Sequence, residues 1–119
     1  MKVLFLAFFL FFSRLVFAAD VAAPPELEVT NVEYRITEKN NVWWRFSWKI
    51  SVWNRGNEPA RFNAVVNFFE QQGFIVDRSY ALQLYIAASD SRSFDGSALI
   101  NVSIAPKIAR ATGEVRPIR

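Results

Sequence analysis

The side chains of this 119-residue chain that are equipped for chemistry are carboxylates, serines and tryptophans, because it has no histidine and no cysteine. That absence removes Ser-His-Asp triads, thiolate nucleophiles, imidazole and thiolate metal sites, and disulfides. Glycoside hydrolysis would then need two acids converging across a cleft. The acids are Asp20, Glu26, Glu28, Glu33, Glu38, Glu58, Glu70, Asp77, Asp90, Asp95 and Glu114. Their spacing points to turns and to alternate, solvent-facing strand positions, where charge blunts edges. Asp90 and Asp95 with Gly96 miss the i, i+2, i+4 pattern of a calcium loop. Lys49 and Ser51 stand two apart on one strand face, which is common on any strand. No catalytic, cofactor-binding or metal-binding residue is assigned, and the chain reads as a non-enzyme.

The tryptophans carry more. Trp43 and Trp53 fall on a wet strand face with Arg45 and Lys49 between them. Exposed aromatics beside cations suit a glycan, a peptide or a partner protein. Ten residues of strand separate the two indoles by about 33 Å, so they cannot flank one small ligand. If 42–53 and 60–69 form a hairpin, Phe69 meets Arg45, Asn67 meets Ser47, and Asn63 meets Ser51. The result is a polar platform with an aromatic end. If the two strands lie in opposite sheets, the platform dissolves. The candidate binding residues are therefore Trp43, Arg45, Lys49, Trp53 and Phe69.

The elements that must position them read as strands. Val42, Trp44, Phe46, Trp48, Ile50 and Val52 alternate with Trp43, Arg45, Ser47, Lys49, Ser51 and Trp53. That period of two predicts a strand with the first row buried and the second wet. Leu27 and Val29 are followed by Val32, Tyr34 and Ile36, a slip of one residue that predicts a bulge near Thr30-Asn31. Phe62, Ala64, Val66 and Phe68 make another inward row. Phe74-Ile75-Val76 with Tyr80, Leu82, Leu84 and Ile86 suggests two short strands or one bent one. Phe94, Ala98, Ile100, Val102 and Ile104 continue the pattern, with Gly96 expected to kink or bulge. Lys107 to Val115 makes a weaker last strand. Turn chemistry at 39–41, 55–59, 71–73, 89–91 and Pro106 separates these runs. The expected fold is an all-β, immunoglobulin-like sandwich of six or seven antiparallel strands over 27–116.

The run Val66-Asn67-Phe68-Phe69-Glu70-Gln71-Gln72-Gly73-Phe74-Ile75-Val76 resembles the FxLYD-type bacterial immunoglobulin-like domains. Val66, Phe68, Phe69, Glu70 and Gly73 take the places of that signature's apolar residues, aromatic, acid and turn glycine. Upstream, Trp48 to Gly56 looks like the family's strand ending in an Asn-x-Gly turn. Downstream, Ser91 to Gly96 takes the place of its polar turn and aromatic strand. Val66 replaces an aromatic, Phe69 a tyrosine and Glu70 an aspartate, and the usual Pro-Gly is missing. The resemblance covers roughly 42–96. It implies the sandwich fold and says little of activity.

Residues 1–18 have the form of a cleaved secretory signal. Lys2 leads a ten-residue apolar run from Val3 to Phe12, and Val16-Phe17-Ala18 suits signal peptidase. A retained span would need about 20 apolar residues, and Arg14 interrupts this one. Residues 19–26, with Pro24-Pro25, read as an extended tether. Beyond the leader the chain holds 12 bases against 11 acids, a balance that argues against nucleic acid as a partner. Export without disulfides points to a bacterial envelope, periplasmic or extracellular, with no membrane span left after cleavage. Asn101-Val102-Ser103 matches a glycosylation sequon but reads as an outward Asn and Ser on a strand. The functional expectation is an exported, non-catalytic interaction or assembly module whose partner is another envelope protein. The alternative is a small glycan- or peptide-binding domain.

Overall fold

The computed structural model describes residues 26–118. The leader, and all of the tether except Glu26, lie outside the described residues. The first hairpin joins β1 (Leu27–Lys39) to β2 (Trp43–Asn54). Its turn is held by Asn40, whose Oδ1 accepts the N–H groups of Val42 at 2.8 Å and Trp43 at 2.7 Å. The slip in the β1 pattern is absorbed by a register shift between Val29 and Asn31. Leu27, Val29, Val32 and Tyr34 therefore all pack on the core.

The chain then crosses to a second hairpin, β3 (Ala60–Glu70) and β4 (Ile75–Ile86). Here the carboxylate of Glu70 organises the turn: its Oε1 accepts the N–H of Gln72 at 2.8 Å and of Phe74 at 3.2 Å. Gly73 supplies the positive φ of 97° that this turn requires. β5 (Ser91–Asn101) returns beside β2, and a short 3-10 turn (Ala105–Lys107) leads to β6 (Ile108–Pro117) beside β3. The sheets are β1-β2-β5 and β4-β3-β6, with every pairing antiparallel. The described residues form a six-stranded immunoglobulin-like Greek key, at the lower strand count expected. β2 and β3 lie in different sheets, which settles the pairing that alternation left open.

The facing rows make the core. Phe46, Ile50, Val52, Phe62, Ala64, Val66, Phe68, Ile86 and Ile100 are fully buried. Tyr34, Phe46 and Phe68 form an aromatic cluster with centroids 5.5–5.7 Å apart, and Phe62 meets Phe94 edge-on at 5.4 Å. Each such pair adds about 1 kcal/mol to the area it buries. In a chain without cysteine, packing of this kind replaces the covalent staple.

Trp48, 3% exposed, links the sheets. Its Nε1 donates to Ser79 Oγ at 2.9 Å, and Ser79 Oγ donates to the Ser97 carbonyl at 3.3 Å. Ser79→Ala leaves the buried indole N–H without an acceptor, and the expected loss is about 1–3 kcal/mol. Urea unfolding of the variant beside the parent protein measures it; an unchanged midpoint would contradict this account of the link.

Several sequence expectations are corrected. Val42 precedes β2 and is 63% exposed, because the Asn40 turn holds it outside the ladder. Gly96 causes no kink: it pairs in unbroken register with Trp48, whose indole occupies the space of its missing side chain. Asn101 ends β5, and its Oδ1 accepts from the Ser103 N–H at 2.8 Å and hydroxyl at 2.7 Å, so the sequon forms a turn. β4 is one strand, but Tyr80 and Leu82 do not point inward. Phe62 faces Leu84 and Ala64 faces Ala81, so one extra residue sits in β4, with Gln83 at φ 57°. That bulge lets Ser79 and Ala81 face the core together with Leu84 and Ile86.

Candidate functional site

The sandwich presents two outer faces, and the five sequence candidates divide between them. On the β1-β2-β5 sheet, alternation turns Trp43, Arg45, Ser47, Lys49, Ser51 and Trp53 of β2 to solvent. Their neighbours neutralise them. Lys49 stands in register between Glu33 and Asp95. Arg45 Nε bonds Glu38 at 3.2 Å, and Arg55 bonds Glu28 at 2.9 Å. Hydroxyls fill the remaining rows, Thr37 to Ser47 at 2.8 Å and Ser51 to Ser93 at 2.9 Å. A shallow, open depression of about 690 Å³ lies over Glu33, Arg35, Ser47, Lys49, Asp95 and Ser97. Trp43 and Trp53 lie outside it near the two ends of β2, each beside an arginine (Arg45 at 5.6 Å, Arg55 at 5.8 Å) rather than beside the other. Phe69 is on the opposite sheet, 4.1 Å under the guanidinium of Arg110. The structure thus brings four candidates to one face and places the fifth on the other.

The β4-β3-β6 face differs in kind. Its strands turn Tyr85, Tyr80, Arg78 and Ile75 outward from β4, Arg61, Asn63, Val65, Asn67 and Phe69 from β3, and Arg116, Glu114, Thr112 and Arg110 from β6. Of the large hydrophobic residues that remain exposed, Phe74 (69%), Ile75, Tyr80 (52%), Leu82 (64%) and Tyr85 fall together on β4 and the turn before it. Isolated exposed hydrophobics are ordinary; a ridge of them is the mark of a contact surface.

Beside the ridge runs a polar ladder. Arg78 Nε donates to Asn67 Oδ1 at 3.0 Å, Asn67 Nδ2 donates to Glu114 Oε2 at 3.0 Å, and Arg116 Nε donates to Glu114 Oε1 at 3.3 Å. The amide of Asn67 can serve both neighbours because it is donor and acceptor at once. This roof leaves Val65 fully buried although it lies on the outer side of β3.

The Asn67 hydrogen bond holds the Glu114 carboxyl below its ordinary value near 4.5; burial opposes this, while Arg116 and Arg78 reinforce it. A depressed carboxyl stabilises the fold above its unfolded pKa, and that contribution fades as pH falls through the lower folded value. Asn67→Ala should move the Glu114 titration upward. NMR of the side-chain carboxyl carbon in both proteins reads the shift, and identical curves would refute the assigned cause.

The ridge is what sequence reasoning missed. Tyr80, Leu82, Leu84 and Ile86 read as one inward row, and a bulge built on Gln83 leaves no glycine to betray it. The usable signal was Ser79 and Ala81, small residues able to face a large indole.

No protein-family model matches the chain, and no curated protein matches it. Among solved structures, a DUF1425 family member from Shewanella sp. pv-4 is 11% identical, with 86% of this chain and 87% of that one covered, at a TM-score of 0.53. A β-glucuronidase from glycoside hydrolase family 2 gives a TM-score of 0.57 at 12% identity over 64% of this chain. The chain spans 9% of that enzyme. At these identities the likeness is one of fold, an all-β sandwich.

Proposed function

We propose that the protein is an exported, non-catalytic interaction module of a bacterial envelope, and that another envelope protein docks on the outer face of β4-β3-β6. The ridge of Phe74, Ile75, Tyr80, Leu82 and Tyr85 carries this reading, because burying it is favourable by about 25 cal/mol per Å² and nothing among the described residues does so. The signal-like residues 1–18 support export. Among the described residues no helix is long and apolar enough to cross a membrane. The compensated charges and hydroxyl rows of the other face suit solvent.

The test is affinity capture from envelope extract, comparing the parent protein with Tyr80→Ser/Leu82→Ser. Both side chains are exposed, so the variant should melt within a few degrees of the parent. The expected result is a protein enriched about tenfold by the parent and lost with the variant, a difference of about 1.4 kcal/mol. No enriched protein, or one retained equally by the variant, would overturn the reading.

A further inference from the structure

The two faces balance charge differently. On β1-β2-β5, Glu28, Glu33, Glu38 and Asp95 accompany Arg35, Arg45, Lys49 and Arg55. On β4-β3-β6, Arg61, Arg78, Arg110 and Arg116 stand against Glu114 alone. The neighbouring acids do not redress this. Glu70 Oε1 accepts N–H groups of its own turn, Asp77 lies opposite inward-facing Phe68 and accepts the Arg78 N–H, and among the described residues neither acid forms an ion pair with the four arginines.

We infer that this face binds an acidic, extended polypeptide segment of its partner, an inference that rests on the interaction reading above. Each guanidinium is held from one side. Arg78 and Arg116 are tied through Nε, Arg110 lies over Phe69 at 4.1 Å, and Arg61 lies near Tyr85 at 5.7 Å. Among the described residues none of the four donates through Nη to a protein acceptor. A guanidinium so oriented offers its remaining N–H edge to a carboxylate at little further entropic cost. Arg110 and Arg116 are six residues apart on one strand, about 20 Å. That is the spacing of two acids six residues apart in an extended chain, whose uncharged residues between them lie over Thr112 and Glu114. Glu114 distinguishes the class of partner. An anionic bilayer would press its charged plane on that carboxylate, whereas a peptide can place an uncharged residue there.

The experiment uses the full exported chain and a fluorescein-labelled Glu–Val peptide with Glu at every sixth position and Val between, with a Lys–Val counterpart of the same spacing and phosphatidylglycerol vesicles as comparisons. Arg61→Glu/Arg110→Glu is the informative variant, since neither side chain makes a hydrogen bond among the described residues and each touches the fold through one aromatic ring. Arg78→Ala is the second variant. Anisotropy should show binding of the Glu–Val peptide, weakened about tenfold or more by the charge reversal and by moderate salt. Lys49→Glu on the other face should change it less than about twofold. No binding of the acidic peptide, equal binding by the charge-reversed protein, or binding of vesicles alone would overturn the inference. The capture experiment separates the two claims. A partner lost with Tyr80→Ser/Leu82→Ser but kept by Arg61→Glu/Arg110→Glu leaves the interaction reading intact and refutes the acidic one.

Discussion

Gly96→Ala is expected to cost about 3–4 kcal/mol, as overpacking compounded by a lost buried hydrogen bond. A Cβ at position 96 would stand 2.6 Å from Trp48 Cε2 and 2.7 Å from Cη2, and closer still to Cζ2. The obstacle is a rigid ring in the middle of a fully formed ladder, with Trp48 and Gly96 directly opposed. If the indole tilts away, Nε1 leaves Ser79, and the bridge through that hydroxyl keeps its Ser97 half alone. Chemical denaturation measures the loss. Trp48→Leu alone should also destabilise, by leaving a cavity. The double variant should fall short of the sum of the two by at least about 1.5 kcal/mol, because the added methyl then occupies vacated space. Strict additivity would mean that the glycine is required for some other reason.

Asn54→Ala should be of similar size. Asn54 is 2% exposed at the end of β2, and each polar atom of its side chain is used. Nδ2 donates to the carbonyls of Glu58 at 2.8 Å and Ala87 at 3.2 Å, while Oδ1 accepts the Gly56 N–H at 3.0 Å. One amide thereby fastens the β2–β3 loop to the β4–β5 loop. Truncation strands two carbonyls and one N–H, and at about 1 kcal/mol for each the loss is about 3 kcal/mol. Asn54→Asp should do no better, since a carboxylate cannot donate to the two carbonyls. Hydrogen exchange supplies the local readout: the amides of Gly56 and of Ser89, which donates to the Gly56 carbonyl at 3.0 Å, should lose protection first. Uniform loss across all strands would argue against a corner made by one side chain.

What the sequence revealed depended on whether a residue's role was local. The β2 row was legible because Phe46, Trp48, Ile50 and Val52 need only the period of two to face one way. The β1 slip was legible for the same reason, and the register shift falls where the pattern breaks. Alternation names a face and not a neighbour, so it could not choose between β3 and β5 as the partner of β2. Gly96 was misread because its cause, the Trp48 ring, is 48 positions away in the chain. The outward turn of Tyr80 and Leu82 was hidden for the same kind of reason. Of the candidate site, the basic and aromatic residues of β2 were found, but the acids that offset them, Glu33, Glu38 and Asp95, come from strands whose adjacency only the fold supplies.

The Gln83 bulge makes interior and exterior a single choice. With this chain length β4 has two available phases: Ser79 and Ala81 inside, or Tyr80 and Leu82 inside. The indole of Trp48 takes the volume that the second phase would need, so filling the middle of the domain evicts two large side chains onto its skin. A smaller residue at position 48 would reopen that vacancy and give the strand a reason to slide, drawing the evicted pair home. Whatever recognises them would then lose its landmark through a substitution it never touches.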